Sequence, residues 1–470
     1  MALLLWIAVI TAIIIDIADR LPVENAVGLT IGTAVLPHCV LIVWYVLEYD
    51  YCATEYIIPL CVFAAHFSAR TAFKPYRVQF KKAHASLRVR AMYGGKILLK
   101  FTAVSLALQT AFYVLAVKND FWGIPEAVRI ADTIVTAVMV IGYGLNGVAR
   151  IFFLCRRLGI VKRVIAFLLL PVPAVNIFVL GSLYRAAKAE YDYETTRAVC
   201  DSQRVESLVC GTKYPILLVH GFGFRDWRYF NYWGRIPAEL IKNGAKIYYG
   251  HQEAFATVDY NAQLIRNKVM EIVNETGCEK VNIIAHSKGG LDSRYAIAKL
   301  GIEDHVASLT TVGTPHRGSE VADYAERLPD SIYRSVADFM DKKYRSFGDK
   351  NPDFYTACHQ FGTAYAAKFN EEIKDSEKVY VQSYTSVMKN FFSFDVLGFT
   401  YLLLIKHGRN DGLVTVESAK WGEFKGVFES RKIRGISHGD TIDLKREDYH
   451  GFDPRETYVQ IVSELNEMGF

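Results

Sequence analysis

A serine at a predicted sharp turn is the first residue whose surroundings suggest chemistry. An apolar run typical of a strand ends in Ala285–Gly289, and a run typical of a helix, Leu291–Leu300, follows at once. A serine between a strand and a helix holds its hydroxyl clear of both, provided that small residues lie two positions away on each side. Ala285 and Gly289 meet that requirement around Ser287. The segment therefore predicts a nucleophile elbow and not a surface serine in a glycine-rich turn.

A second strand-like run, Tyr214–Val219, ends in His220 and Gly221 and precedes the serine. In sites built on a nucleophile elbow, the loop after an early strand and the residue after the serine each supply a backbone N–H that stabilises the oxyanion. We therefore predict an oxyanion hole formed by the amides of Phe222 and Lys288. Because only backbone groups would act, we expect alanine substitution of these two side chains to have little effect.

The acid and the histidine that complete such a site should follow the serine in that order. Asp411 lies in a polar, glycine-flanked turn after the apolar run Tyr401–Ile405, which we interpret as a strand. Two histidines remain after it: His438 in a short loop and His450 in a charged stretch. The preferred catalytic set is Ser287 as nucleophile, His438 as base and Asp411 as the group that fixes the imidazole tautomer.

Two other aspartates differ from Asp411 in their fit to the role of the acid. Asp395 is the alternative to Asp411. Asp292 lies on the helix directly after the serine, too close to take this role, and is expected at the surface or as a helix cap.

Five segments carry a resemblance to a known family. In chain order they are Leu218–Phe222, Ile284–Gly290, Thr314–Ser319, Asn410–Val414 and Ser437–Asp440. Together they resemble bacterial triacylglycerol lipases of the α/β-hydrolase superfamily, of the Pseudomonas and Burkholderia type, over roughly residues 205–470. The resemblance implies an α/β-hydrolase fold, an acyl-ester or lipid substrate, and the same nucleophile, acid and base.

Lipases of this type hold a structural calcium ion near the catalytic histidine, and Asp440 matches one of its ligands. Leu444 stands where a glutamine would be expected, and Asp395 is only a loose match for another ligand. The cysteines and histidines show no spacing typical of a metal site. We therefore predict no catalytic metal and no required cofactor, and structural calcium is a possibility that the resemblance raises.

The C-terminal part of the chain alternates short apolar runs with helical patterns such as Thr257–Glu275. The strand-like runs lie around residues 214–220, 245–249, 280–285, 306–312, 379–384 and 401–406. This alternation predicts an α/β fold with a mostly parallel sheet. Residues 319–369 interrupt it with helical patterns of mixed polarity, where a lid over the site or ordinary helical packing would be expected.

The N-terminal part is unusually apolar, and it raises the hydrophobic share of the 470 residues to 51%. Spanning a bilayer takes about 20 apolar residues. The apolar stretches are Ala2–Ile15, Ala26–Leu47, Ile57–Ala69, Ile97–Val117, Ile130–Val148 and Val164–Tyr184. We predict an all-α transmembrane region of five or six spans over residues 1–184, a polar linker over 185–209 and the α/β domain over 210–470.

Charge placement orients the predicted spans. Basic residues without any acid occupy Arg70–Lys100, and a second basic segment is Arg150–Arg163. The positive-inside bias places both segments in the cytoplasm. If Val164–Tyr184 then crosses outward, the C-terminal domain lies outside the cytoplasm. Pro171 and Pro173 leave open that this last segment is re-entrant.

These patterns predict a membrane-anchored serine hydrolase that cleaves carboxylic esters, with a lipid or acyl ester as substrate and the bilayer as partner. An acyltransferase or thioesterase would use the same site, and a membrane scaffold with an inactive site is the alternative from another class. The intact order of serine, aspartate and histidine argues against the scaffold. The net charge of +5 comes largely from the membrane-flanking loops, and it favours anionic lipid over nucleic acid. The oligomeric state is not predicted.

Overall fold

The structure is a computed structural model. It describes residues 35–48, 79–80, 83–204, 208–225, 231–393, 396–430, 433–446 and 451–470, with isolated positions between residues 6 and 66. The chain divides into two compact units, Met1–Gln203 and Arg204–Phe470.

The first unit is helical over most of its described length. Its helices are α1 (Cys39–Glu48), α2 (Leu87–Lys118), α3 (Glu126–Leu154), α4 (Gly159–Leu169) and α5 (Val175–Arg204), and a short hairpin pairs Gln79–Phe80 with Ala83–His84. Within the described residues, α2 and α3 are the two helices that are long and apolar enough to cross a membrane. They contain the predicted spans Ile97–Val117 and Ile130–Val148.

Helices α2 and α3 approach each other closely at two glycines. A Cβ atom on Gly95 would lie 2.8 Å from the carbonyl oxygen of Gly147, and one on Gly147 would lie 3.0 Å from the carbonyl oxygen of Gly95. Small residues at such a crossing allow two helix backbones to pack without a hydrophobic driving force between them, as membrane helices require. Larger residues at either position would push the helices apart.

The predicted span Val164–Tyr184 is not one continuous helix. Helix α4 ends at Leu169 and α5 begins at Val175. Pro171 and Pro173 lie between them, and proline both lacks a backbone N–H and clashes with the preceding helical turn. The predicted linker over residues 185–209 mostly continues α5.

The other predicted spans are described only in part. Leu36–His38 forms a 3₁₀ turn that leads into α1, and these residues cover the end of the predicted span Ala26–Leu47. The remaining residues of that span lie outside the described ones, as do most residues of Ala2–Ile15 and Ile57–Ala69.

The second unit is built on one sheet of six strands. They are β1 (Ile216–Val219), β2 (Ile247–Tyr249), β3 (Val281–His286), β4 (Val306–Val312), β5 (Tyr380–Ser386) and β6 (Glu423–Phe428). Their order is β2-β1-β3-β4-β5-β6, and every neighbouring pair is parallel. The predicted α/β class with a parallel sheet is confirmed.

Helices connect and cover these strands. They are α6 (Ile236–Lys242), α7 (Val258–Thr276), α8 (Lys288–Lys299), α9 (Glu320–Ala325), α10 (Asp330–Ser346), α11 (Phe354–His359), α12 (Thr363–Glu372), α13 (Gly398–Leu404), α14 (Val416–Ala419) and α15 (Pro454–Glu467). The predicted helical insert over 319–369 corresponds to α9–α12.

Alternation along β1 builds a core on each face of the sheet, since neighbouring strand residues point to opposite sides. Ile216 and Leu218 pack with Trp233 and with residues of α6 and α15. Leu217 and Val219 pack on the other face with residues of α7 and α8. Both cores are buried, so the carboxyl ends of the central strands are held in a rigid frame.

The predicted strand over residues 401–406 is wrong, because this run forms α13 and a following 3₁₀ turn, Ile405–His407. Periodicity alone does not distinguish a strand from a helix in so short an apolar run. The edge strand β6 takes its place in the sheet.

Candidate active site

The strained turn at Ser287 joins β3 to α8. Ser287 has φ 54° and ψ −128°, a region that residues with a Cβ adopt only at an energetic cost. Its backbone N–H donates to the carbonyl oxygen of Val312 at 3.0 Å, which fixes the turn against the end of β4. The hydroxyl therefore stands at the carboxyl edge of the sheet, where the sequence predicts the elbow.

Gly289 shows why the turn requires a small residue after the serine. A Cβ atom at this position would lie 2.5 Å from the carbonyl oxygen of His220 and 2.7 Å from that of Val219. Helix α8 thus passes directly against the end of β1. A side chain at 289 would displace the helix and the hydroxyl of Ser287 with it.

The described structure brings His438 to Asp411. Nδ1 of His438 lies 2.7 Å from Oδ2 of Asp411, and the His438 N–H donates to the Asp411 carbonyl oxygen at 2.9 Å. The other carboxylate oxygen of Asp411 accepts from the N–H groups of Leu413 and Val414 at 2.9 and 2.8 Å. Asp411 is fully buried, so its carboxylate is fixed by the turn and can orient the imidazole.

Gly313, at the end of β4, allows these groups to meet. It has φ +59°, and a Cβ atom there would lie 3.1 Å from Nδ1 of His438 and 3.3 Å from Oδ2 of Asp411. The sequence prediction used the residues from Thr314 onward and missed this glycine. Its position directly after a buried strand is the signal that could have identified it.

Ser287 and His438 line the same cavity, of about 550 Å³. Most of its other lining residues are aromatic or aliphatic, and they come from the loop after β1, from α9–α11 and from the segment before α13. They include Phe222, Phe224, Tyr232, Val321, Tyr333, Phe354, Phe361, Val396, Leu397 and Leu413. Such a space accepts an apolar chain attached to a group that reacts at the serine.

Of the two residues whose amides are the predicted oxyanion donors, Lys288 directly follows Ser287, and Phe222 lines the same cavity as Ser287. Within the part of the chain that the structure describes, neither N–H donates to another residue. Gly221 precedes Phe222, and a Cβ atom on it would lie 2.9 Å from Cβ of Ser287. The loop after β1 therefore passes directly beside the serine, as an oxyanion loop must.

The side chain of Phe222 has a packing role beside the predicted role of its amide. The ring of Phe222 contacts those of Phe255, Phe354 and Phe361 at centroid distances of 4.7, 5.5 and 5.1 Å. Removing it would leave a void beside the oxyanion loop, and voids in a packed core are costly.

Lys288 and Asp292 form a buried ion pair, with Nζ 2.6 Å from Oδ1. The predicted surface or capping role of Asp292 is therefore wrong, since it is only 1% exposed. Burial raises the pKa of Asp292 to about 6, and burial lowers the pKa of Lys288. Asn261 donates to the other oxygen of Asp292 at 3.3 Å. Desolvation thus outweighs the mutual attraction of the two charges.

Asp440 is bound by an arginine. Its two oxygens accept from Nη2 of Arg434 at 3.0 and 3.2 Å, and one of them also accepts from the N–H of Ser437 at 3.0 Å. Leu444 contributes to the apolar lining of the cavity. Residues that could hold a metal do not cluster anywhere in the described ranges. The residues around Asp440 therefore do not fit the calcium ion that the resemblance raised.

Asp395, the alternative acid, and His450, the alternative base, lie outside the described residues. Arg235 was not singled out by the sequence prediction, although it holds the segment after His438 from the other side. Its guanidinium binds both oxygens of the buried Asp443, at 2.7 and 2.8 Å.

Several known proteins are similar to part of this chain. Residues 216–326 match the family described as "Putative serine esterase (DUF676)". The chain is 34% identical over 173 residues to triacylglycerol lipases of Pseudarthrobacter phenanthrenivorans and Burkholderia plantarii, which covers 34% of this chain and 53% and 48% of those proteins. It is 28% identical over 262 residues to triacylglycerol lipase 2 of Saccharomyces cerevisiae, covering 51% of this chain and 74% of that protein.

The chain spans about half the length of the two bacterial lipases. The matched segment begins at β1 and ends directly after α9, so it contains the elbow and the predicted oxyanion loop. These similarities support the resemblance to lipases and esterases, and thereby the predicted class of carboxylic-ester hydrolases.

Proposed function

We propose that this protein is a membrane-associated serine hydrolase that cleaves the acyl esters of lipids. The observation that carries the proposal is the convergence of three groups at one apolar cavity. Ser287, with its strained backbone, lines this cavity. His438, which the buried Asp411 holds, lines the same cavity.

In the first half of the reaction, His438 takes the proton of Ser287 while Oγ attacks the ester carbonyl carbon. Asp411 holds the Nδ1–H of His438, so that Nε2 is the basic nitrogen. The carbonyl oxygen becomes negative and is stabilised by the amides of Phe222 and Lys288. When the C–O bond of the ester breaks, His438 gives its proton to the leaving alcohol, and the acyl group stays on Ser287.

In the second half, water attacks the acyl-enzyme. His438 removes the proton of the water, the same two amides stabilise the second oxyanion, and the proton passes to Ser287 as the carboxylic acid leaves. This chemistry needs only groups of the chain itself.

Exposed apolar side chains next to the cavity favour a lipid over a water-soluble ester. We define the apolar rim as Phe392, Val396, Phe399 and Ile433, which are 82, 76, 69 and 87% exposed. Val396 lines the cavity, and Asn390 donates to the carbonyl oxygen of Ile433 at 2.9 Å. Large exposed apolar side chains grouped beside a site often mark a surface that contacts a membrane or a partner. A lipid surface would cover the rim and present acyl chains to the cavity.

The first unit supplies the membrane association. Helices α2 and α3 are long enough to span a bilayer and carry exposed apolar side chains. Val117 of α2 and Val138 of α3, for example, are 65 and 66% exposed. The remaining spans of the predicted five or six would come from the first 70 residues.

Helices α4 and α5 form a re-entrant hairpin. Arg88, at the start of α2, donates to the carbonyl oxygen of Leu154, the last residue of α3, at 2.7 Å. Arg88 also binds Glu190 of α5, and the N–H of Arg157 donates to Glu190 at 2.9 Å. The chain thus leaves the end of the bundle that holds Arg88 after α3, and it has returned to the same end by Glu190. The 11 residues of α4 reach about 16 Å, roughly half of the hydrocarbon thickness.

This return favours a placement of the catalytic unit opposite to the predicted one. The end of the bundle with Arg88 also carries Arg150, Arg156 and Arg157, so the positive-inside bias assigns it to the cytoplasm. The chain emerges there after Glu190. The hydrolase unit is therefore cytoplasmic, and its substrates are lipids of the cytoplasmic leaflet or of the cytoplasm.

The test is ester hydrolysis by the detergent-solubilised full chain across a series of acyl lengths, with Ser287→Ala beside the wild type. We expect hydrolysis to rise toward long chains and kcat to fall by about 10⁴–10⁶-fold in the variant. A fall below tenfold would contradict Ser287 as the nucleophile. Product analysis with added alcohols separates hydrolysis from acyl transfer to an alcohol.

A further inference from the structure

Tyr232, His286 and Thr441 form a continuous run of buried hydrogen bonds beside Ser287. Oη of Tyr232 lies 2.6 Å from Nδ1 of His286. Nε2 of His286 lies 3.0 Å from Oγ1 of Thr441, and that hydroxyl donates to the carbonyl oxygen of His438 at 2.7 Å. We call this run the Tyr–His–Thr chain.

The direction of each bond follows from the last one. A carbonyl oxygen can only accept a hydrogen bond, so Thr441 donates its single hydroxyl proton to the carbonyl oxygen of His438. Thr441 must then accept from His286, whose Nε2 therefore carries a hydrogen. A neutral His286 has no hydrogen on Nδ1, so that Nδ1 accepts from the hydroxyl of Tyr232.

The surroundings keep His286 neutral. It is 1% exposed, and its ring centroid lies 4.5 Å from that of His438. Burial first, and then the nearby His438, lower the pKa of His286 well below its usual value. All protons of the Tyr–His–Thr chain therefore point from Tyr232 toward His438.

The two ends of the Tyr–His–Thr chain lie at opposite parts of the site. A Cβ atom on Gly221, in the oxyanion loop, would lie 2.6 Å from Oη of Tyr232. At the other end, the bond reaches the main chain of His438, the base. The residue before the nucleophile, His286, thus connects the wall of the oxyanion loop with the loop of the base.

We propose that Tyr232, His286 and Thr441 are positioning residues, which fix the backbone of His438 so that its Nε2 faces Ser287. The inference rests on the proposed function, since it assigns a role to His438 as base. Asp411 holds the Nδ1 and the N–H of His438. Thr441 binds the carbonyl oxygen of His438, which is the third hydrogen bond that holds this residue. Without it, the imidazole of His438 can rotate about its two bonds to Asp411.

The test compares Thr441→Val, which removes the hydroxyl but keeps the shape, with Thr441→Ser, which keeps the hydroxyl. A misplacement of about 1 Å in a catalytic group can cost on the order of 100-fold in rate. We expect kcat to fall by roughly 10- to 100-fold in Thr441→Val with KM within about twofold, and Thr441→Ser to recover most of it. The matched control is Thr385→Val, another buried threonine, on β5, which should keep wild-type kcat.

The combination of Tyr232→Phe with Thr441→Val asks whether the Tyr–His–Thr chain acts as one unit. Members of one network are not additive, so the double variant should be no slower than Thr441→Val alone. The inference would be overturned if the losses in kcat of the two single variants multiplied in the double variant. It would also be overturned if Thr441→Val had the same kcat as Thr385→Val. If the wild type shows no hydrolysis that depends on Ser287, the proposed function fails first, and the two failures are thereby distinguished.

Discussion

Lys288 places its ammonium 2.6 Å from the carboxylate of Asp292, one turn along α8 and directly behind the nucleophile. Both side chains are almost fully buried. Breaking a buried ion pair leaves one charge without compensation, which typically costs about 3–5 kcal/mol, whereas replacing both partners by apolar residues can be neutral or stabilising. The pair therefore predicts opposite outcomes for single and double substitution.

Lys288→Met should lower the thermal midpoint of the protein at pH 7.5, although the Lys288 amide remains in place. The pKa of Asp292, already raised to about 6 by burial, should rise further without the lysine. A raised carboxyl pKa gives stability that is present at low pH and is lost as the pH rises through that pKa. The midpoint of the variant should thus approach the wild-type value near pH 5.

The matched control is the double variant Lys288→Met with Asp292→Leu, which carries no buried charge at this position. Its thermal midpoint at pH 7.5 should equal or exceed that of the wild type. A single variant that is as stable as the double variant at pH 7.5 would show that Asp292 does not depend on Lys288.

Chelation should leave this protein unchanged. The guanidinium of Arg434 binds both oxygens of Asp440 and donates through Nε to the carbonyl oxygen of Ser393 at 2.7 Å. It thereby holds the loop of His438 without a metal. We expect EDTA to change neither the thermal midpoint nor the rate of ester hydrolysis. A fall in either that calcium restores would contradict this assignment.

Arg434→Met tests the same contact from the protein side. The variant leaves Asp440, which is fully buried, without its positive partner, so both the thermal midpoint and kcat should fall. Arg409→Met is the control, because Arg409 pairs with Glu429 at an exposed position, where ion pairs contribute about 0–1 kcal/mol. Its midpoint should stay near that of the wild type.

The elbow was predictable because its requirements are local. Ala285, Ser287 and Gly289 lie within five residues, and the close approach of α8 to β1 is already implied by a small residue at 289. The order of acid and base along the chain then restricted the acid to Asp411 or Asp395 and the base to His438 or His450.

The contacts that hold these groups were not predictable, because they join distant parts of the chain. Tyr232 meets His286 across 54 residues, and Thr441 meets His286 across 155. Nothing in the sequence near Thr441 marks its hydroxyl as a partner of the nucleophile motif. From the sequence alone, Lys288 is an ordinary polar residue of a helix. In the structure, α7 packs against α8 and the side chain of Lys288 is buried.

The apolar rim should matter for lipid in a surface and not for a soluble ester. Phe392→Ser combined with Phe399→Ser removes two side chains that are 82 and 69% exposed, so folding should be little affected. We expect hydrolysis of long-chain lipid in mixed micelles to fall roughly tenfold through a higher apparent KM, with hydrolysis of a short water-soluble ester unchanged. Ile241→Ser, at an exposed position of α6, is the control and should leave both activities intact. Equal losses on both substrates would show that the phenylalanines act on the site itself.

The re-entrant hairpin of α4 and α5 predicts which side of the membrane the hydrolase unit occupies. In a cysteine-free background, Glu275→Cys places an exposed thiol on α7, and Asp120→Cys places one in the connection between α2 and α3. That connection lies at the opposite end of α2 from Arg88, so the two thiols should be on opposite sides of the bilayer.

A membrane-impermeant maleimide should label Asp120→Cys in intact cells and Glu275→Cys only after permeabilisation. If Val164–Tyr184 crosses outward instead, Glu275→Cys should be labelled in intact cells, and that result would place the catalytic unit outside the cytoplasm.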